Sequence, residues 1–203
     1  MRRFSLTRGQ KLCRNLLVTL LLLLLWWGSQ GFGAFTGMGA FRQAEQTHLM
    51  LPSEILTELE ISDSRRLIVG RSDDTLVLGT VYANAFLHLP RAALNLVPID
   101  EGVNLIPVMY DLFNVRNVLV LTDCPDAAAV ELTVSVPARV DNGGPDTVCT
   151  CYGEPRAPGL FVCELDFTAW EGTAYALRFY DAAGALLAEY GAGDGLQPHY
   201  VRR

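Results

Sequence analysis

Hydrophobic positions along this chain follow three successive patterns, and each predicts a different kind of element. The first is an apolar run at 16–27, LLVTLLLLLLWW, which continues more weakly through GSQGFGAF to Phe35. A stretch of about 20 apolar residues suits a bilayer-crossing helix, whereas the 12-residue core alone suits the apolar part of a secretory signal peptide. The second pattern, at 40–50, places Phe41, Ala44 and His48 at the spacing of one helical face and predicts a short helix that Pro52 ends. Ser53 then stands where it would cap a further turn through Ile55 and Leu56. From residue 66 onward a third pattern takes over, short strand-like runs bounded by turn residues, which settle into a period of two in the second half.

Residues 66–70 and 75–82 flank Ser72, Asp73 and Asp74, whose side chains bond readily to the local backbone, and together they predict a hairpin. The stretch 83–99 is mixed and broken by Pro90 and Pro98, and 103–110 reads as a strand in which Pro107 points to a sheet edge or a bulge. The second half is clearer. Residues 117–123 are apolar enough for a buried strand, and 129–136 alternate strictly, with Val130, Leu132, Val134 and Val136 on one face and Glu131, Thr133 and Ser135 on the other. Strands follow at 147–152, 160–167, 175–179 and 186–190, separated by turns at 141–146 and 181–184 and by a loop carrying Pro155 and Pro158. In the second of these, Phe161, Cys163, Leu165 and Phe167 share the inner face and Glu164 and Asp166 the outer.

Six such strands in the second half predict a mainly all-β chain, an antiparallel immunoglobulin-like β-sandwich covering about 115–192. The final stretch, YALRFYDAAGALLAEY, resembles the closing hairpin of bacterial immunoglobulin-like modules. A basic leader, one apolar segment and a small β domain together resemble many bacterial envelope proteins. The expected organisation is a cytoplasmic leader at 1–14, a transmembrane signal-anchor or signal peptide at 15–35, a Gly-rich and helical stalk at 36–53, and an extracytoplasmic β domain at 54–203.

Charge sets the orientation. Arg2, Arg3, Arg8, Lys11 and Arg14 precede the apolar run and no acidic residue appears before Glu45, so the N-terminus is expected inside and the β domain outside. Trp26 and Trp27 are placed to sit at the membrane interface. Small residues at Gly31 and Gly33, or Gly37 and Gly39, offer cleavage sites, and cleavage would release a secreted domain. Of the 16 basic residues five lie in the leader, and all 22 acidic ones follow residue 44, so the remainder carries a formal charge of −11. A surface of that sign argues against nucleic acid or anionic headgroups as partners.

The sharpest chemical feature is cysteine. Cys124, Cys149, Cys151 and Cys163 fall within 40 residues of the exported half, where disulfides are permitted. If Tyr152 faces Leu160 across the Pro-containing loop, Cys149 lands opposite Cys163, and a two-residue shift puts Cys151 there instead; all three share one face either way. A structural disulfide from Cys163 to Cys149 or Cys151 is therefore expected, with Cys124 a further partner. Reduced, buried thiols and a four-thiolate site are the alternatives, the last lacking the paired spacing of a zinc knuckle.

No enzyme constellation emerges. His48, His88 and His199 are scattered, and the chain has no G-x-S-x-G elbow, no phosphate-cradling glycine loop and no H-E-x-x-H. Turn chemistry accounts for Asp73 and Asp74, and for Asn142, Gly143 and Gly144 between Asp141 and Asp146, better than a bound cation does; Glu164 and Asp166 read as a solvated face. Trp170, Tyr180 and Tyr190 are candidates for an aromatic platform, though packing is the commoner use of such residues. The expectation is a non-enzymatic, membrane-anchored protein without a cofactor, which binds or scaffolds an envelope protein partner. The alternative is a secreted, disulfide-stabilised domain that binds a ligand or carbohydrate.

Overall fold

A computed structural model describes residues 7–29 (backbone alone at 27–29), 36–82, 90–111, 114–138, 146–169, 172–191, 196 and 198–201. Gly31 and Gly33, His88, the turn residues 141–145, Trp170 and the side chain of Trp27 lie outside the described residues. The described chain is mostly β, with two helices, α1 (Arg8–Ser29) and α2 (Gly37–Thr47), and eleven strands. These are β1 (Glu54–Ser62), β2 (Arg65–Ser72), β3 (Thr75–Tyr82), β4 (Arg91–Pro98), β5 (Val103–Met109), β6 (Asn114–Thr122), β7 (Ala129–Val136), β8 (Thr147–Ala157), β9 (Leu160–Thr168), β10 (Ala174–Tyr180) and β11 (Leu186–Tyr190). They form two antiparallel sheets, a four-stranded one ordered β1-β2-β3-β4 and a seven-stranded one ordered β11-β10-β7-β8-β9-β6-β5.

Three apolar clusters explain which strands alternate and which are apolar throughout. Leu67 and Val69 of β2 and Leu76 and Leu78 of β3 pack with Ile106, Leu119, Leu121, Leu160 and Val162 of the larger sheet. On their opposite face, Ile68, Val77 and Val81 pack with Phe41 of α2. Strand β6 is likewise covered twice, because Leu119 and Leu121 join the first cluster while Val118 and Val120 meet Val130, Leu132, Leu177 and Phe179 of β7 and β10. Burial on both faces removes the reason to alternate, so 67–69 and 118–121 are continuous apolar runs. Strand β7 is covered on one face only and keeps its period of two, with every second residue buried.

The expected β2–β3 hairpin is present, in register from Arg65 opposite Tyr82 to Ser72 opposite Thr75, with Asp73 at φ 49 in the turn. Pro107 is indeed on an edge: β5 ends the seven-stranded sheet, and its outer side is met by residues 198–201 through parallel bridges. His199 N–H donates to the carbonyl of Leu105 (2.8 Å) and Val201 N–H to that of Pro107 (3.2 Å). The nitrogen of Pro107 points the same way as its carbonyl, so its missing N–H costs the β5–β6 ladder nothing.

Two local expectations are overturned. Ser53 does not cap a helical turn; the chain enters β1 at Glu54, and Ile55 and Leu56 are strand residues. Docking decides this, since Leu59 and Ile61 two apart join the inter-sheet cluster, which a helix could not arrange. The stretch with Pro155 is not a loop either. Strand β8 runs on to Ala157 and turns at Pro158 and Gly159, so Ala157 faces Leu160 and Glu154 faces Val162. Its first part pairs with β7, from Val136 opposite Thr147 to Val130 opposite Gly153, and its last part pairs with β9. At the changeover a Cβ on Gly153 would lie 2.9 Å from the sulfur of Cys163, so the close approach needs glycine. The orders β10-β7-β8-β9 and β7-β8-β9-β6 are two overlapping Greek keys sharing this strand.

Helix α2 begins with Thr36, whose hydroxyl accepts from Gly39 N–H (3.0 Å), and ends in a Schellman arrangement. Leu49 N–H donates to the Gln46 carbonyl (3.0 Å) and Met50 N–H to that of Glu45 (2.9 Å). This geometry puts Leu49 at φ 56, where glycine or asparagine is the usual occupant. The left-handed conformation costs a branched residue about 1–2 kcal/mol, and glycine returns roughly half of that as entropy of the unfolded chain. Leu49→Gly is therefore expected to stabilise the domain by about 0.5–1 kcal/mol, read from the denaturant midpoint at constant m-value; a loss of stability would contradict the strain.

Candidate functional site

Three places gather chemically active side chains, and the first is a groove of about 710 Å³ at the end of the larger sheet. The connection from β6 to β7 supplies Asp123, Cys124 and Pro125, the β8–β9 turn supplies Arg156 and Pro158, and buried Phe161 also lines it. Local bonds hold its rim. Cys124 N–H donates to the Thr122 hydroxyl (3.1 Å), and the Asp123 carboxylate accepts from Gly102 N–H (3.0 Å). The Arg156 guanidinium pairs with Glu154 (2.7 Å). Cys124 is half-buried, and among the described residues no histidine lines the groove beside its thiol. What the groove offers is a proline-walled apolar concavity with one cation at its margin.

The second place is the thiol cluster. Cys149 and Cys151 are half-buried, and Cys163 is fully buried between β6, β7 and β10. The expectation that these three share a face fits their burial, but the expected disulfide is absent: all five cysteines of the chain are free thiols. The cause is the register. Because β8 continues to Ala157, the position facing Cys163 falls at Gly153 instead of Cys149 or Cys151, whose partners are Val134 and Leu132 on β7. Cys151 and Cys163 still influence each other as neighbouring thiols. The neighbouring Cys151 thiol and then burial push the Cys163 thiol far above its ordinary range, whereas Cys163 lowers Cys151. Cys124 belongs to the groove beyond the Val130 end of β7, while Cys149 sits opposite Val134; at about 3.3 Å per residue the two are well out of bonding range. Among the described residues no three His, Cys, Asp or Glu side chains converge as metal ligands.

The third place is the outer face of β7, β10 and β11. Arg178 bonds Glu189 across the β10–β11 pair (2.9 Å) and lies 3.8 Å from Glu131 on β7, which also accepts from the Tyr180 hydroxyl (2.9 Å). That bond to Glu131 leads the influences that raise the Tyr180 pKa. Tyr190 faces the other way and packs edge-on against Phe179 (5.9 Å between centroids), so Tyr180 and Tyr190 do not form one platform. Glu164 and Asp166 are exposed, and Asp166 accepts from the Tyr110 hydroxyl (3.2 Å). His48 is exposed at the end of α2, and His199 lies 3.3 Å from Asp100.

Sequence reasoning missed a buried polar lock under α2. Glu45, 1 % exposed, accepts from the Ser53 amide (2.9 Å) and hydroxyl (2.5 Å) with one oxygen and from Arg42 (2.7 Å) with the other; Arg42 also donates to the Ser53 carbonyl (2.9 Å). It missed equally the Tyr175–Tyr200 hydroxyl pair (2.8 Å), which fastens residues 198–201 to the core. Burial, and then that bond, raise the Tyr175 pKa well beyond the ordinary phenol range. No family model, no curated protein and no solved structure matches this chain.

Proposed function

We propose that this chain is a single-pass membrane protein whose β domain, an immunoglobulin-like sandwich, stands outside the cytoplasmic membrane and binds or scaffolds an envelope protein partner without catalysing a reaction. The observation that carries the reading is α1. Its segment Arg8–Trp26 is long and apolar enough to cross a bilayer and none of it is buried, with Leu16, Leu17 and Leu20 to Leu25 all exposed. Contiguous apolar surface on that scale requires a covering, and each leucine transferred from water is worth about 1.5–3 kcal/mol. The 22-residue helix rises about 33 Å, the thickness of a bilayer core. Thr19, polar within the run, donates to the Asn15 carbonyl (2.9 Å), so its hydroxyl is satisfied without water. Arg8, Lys11 and Arg14 on the first turns favour that end inside, and Trp26, exposed near the other end, suits the opposite interface.

Fractionation with N-terminal sequencing tests this. The expected product resists alkaline carbonate extraction, keeps the basic leader, and exposes its β domain to protease added outside intact spheroplasts. A soluble product beginning near Ala34 or Ala40 would show that the segment is a cleaved signal and end the anchor reading.

A further inference from the structure

We propose that residues 49–52, the loop between α2 and β1, form a second membrane contact, an apolar tip that enters the outer interface of the bilayer and holds the β domain against it. This rests on the anchored reading above and extends it from a tether to a docked domain. Leu49 is 94 % exposed and Leu51 79 %, Pro52 is exposed too, and Met50 turns inward against the α2 cluster. Scattered surface leucines are ordinary, but a run of four apolar residues with three in solvent is what a soluble surface avoids. Leu49 is disfavoured twice over. Its φ of 56 suits glycine or asparagine, and its exposure suits a polar side chain, so asparagine would satisfy both conditions that leucine violates. An apolar contact outside the chain removes the second penalty.

Charge, reach and area select a bilayer as the occupant. Between Glu45, which is buried and paired with Arg42, and Glu54 the chain has no acidic or basic residue except His48, in a region whose formal charge is −11. The tip can therefore enter a lipid interface without carrying a carboxylate into it. Residues 30–35 span at most about 25 Å from Ser29 to Thr36, and the 11 residues of α2 add about 16 Å, so the tip cannot stray more than about 40 Å from the end of α1. Two leucines and a proline bury far less than the roughly 1,000 Å² that a specific protein contact requires. A surface to which the chain is already tethered requires much less, because the second contact forms at high effective concentration.

The test uses the full chain in phosphatidylcholine vesicles with plain or brominated acyl chains, bromine quenching tryptophan only at contact with lipid. Leu51→Trp, and separately Leu49→Trp, adds one reporter at an exposed position; near-ultraviolet circular dichroism confirms that each variant keeps its fold. The native tryptophans, two of which lie in or beside the apolar run, report on the anchor. The expected result is that the added tryptophan, taken as variant minus wild type, emits to the blue of its position in water and loses about half its intensity or more in brominated vesicles. Water-like, unquenched emission from both added tryptophans, with the native ones quenched, overturns the tip and leaves the anchor standing. If the native tryptophans are not quenched either, the anchored reading fails and the tip falls with it.

Discussion

Gly79→Ala is expected to destabilise the protein by about 3 kcal/mol, although a Gly→Ala change inside a strand ordinarily gains about 0.5–1 kcal/mol. The reversal comes from one ring. Gly79 lies in the middle of β3, opposite Ile68 on β2 and Leu94 on β4, under α2. A Cβ there would lie 2.5 Å from Phe41 Cε2 and closer still to Cδ2, with Leu94 Cδ2 at 3.2 Å on the other side. Phe41 is fully buried and is the largest side chain that α2 contributes to its seat. A methyl at 79 must therefore lift the helix or expel the ring, and losing a buried phenylalanine costs about 3–5 kcal/mol. A double-mutant cycle identifies the cause. Phe41→Ala should be costly alone, and adding Gly79→Ala to it should cost little more, because the ring that the methyl strikes has gone. Strict additivity of the two changes in urea unfolding would contradict the close approach.

The same glycine marks how far the fold can be read from residue order. TLVLGTVY announces a strand by its branched apolar residues, and glycine inside such a run signals something approaching closely. Which residue approaches is a tertiary fact, and Phe41 is 38 positions away. Elements whose pattern is set locally were legible: the β2–β3 hairpin with its Asp73 turn, the strict alternation of β7, and the helix around Phe41 and Ala44. Elements set by distant partners were not. Strand β4 was hidden among prolines because it packs at an edge, with Ala92 and Leu94 toward α2 and Val97 toward the larger sheet. Strand β1 was read in part as helix, since its pairing with β2 carries a bulge between Ile55 and Thr57 that blurs the period of two.

Among the site residues, the shared face of Cys149, Cys151 and Cys163 was readable because it depends only on period. Their pairing was not, because it depends on where β8 ends. Pro155 looked like a loop residue, yet β8 passes through it and changes partner from β7 to β9 two residues earlier, at Gly153. The resulting shift takes Cys163 off both disulfide partners and leaves free thiols in place of a covalent link. The lock under α2 left a fainter trace. Glu45 stands four residues after Phe41, so a carboxylate on the buried helix face required partners, and Arg42 three residues before it was one. Ser53, the other partner, could be placed only once α2 and β1 were seen to meet.

That lock carries the second large effect. Glu45→Ala is expected to cost about 2–4 kcal/mol at neutral pH, because it strands the Ser53 amide and hydroxyl, two buried donors, while Arg42, a third exposed, can turn to water. The cost should depend on pH. Burial works to raise the Glu45 pKa, but the bonds from Ser53 and from Arg42 outweigh it and hold the carboxyl below its ordinary value of 4.5. A carboxylate more acidic in the folded than in the unfolded chain contributes stability that is complete above the unfolded pKa and is lost as pH falls through the folded one. The gap in unfolding free energy between wild type and Glu45→Ala should thus be flat from about pH 7 to pH 5 and narrow on further acidification. Glu54→Ala, at an exposed neighbour, serves as the control for general acid effects. A gap unchanged down to about pH 3 would mean that folding does not shift the Glu45 carboxyl at all, and one that widened would reverse the sign of its shift. The same lock fixes the start of the loop that carries Leu49 and Leu51. If the tip meets lipid, releasing Glu45 should loosen its hold there while α1 stays embedded.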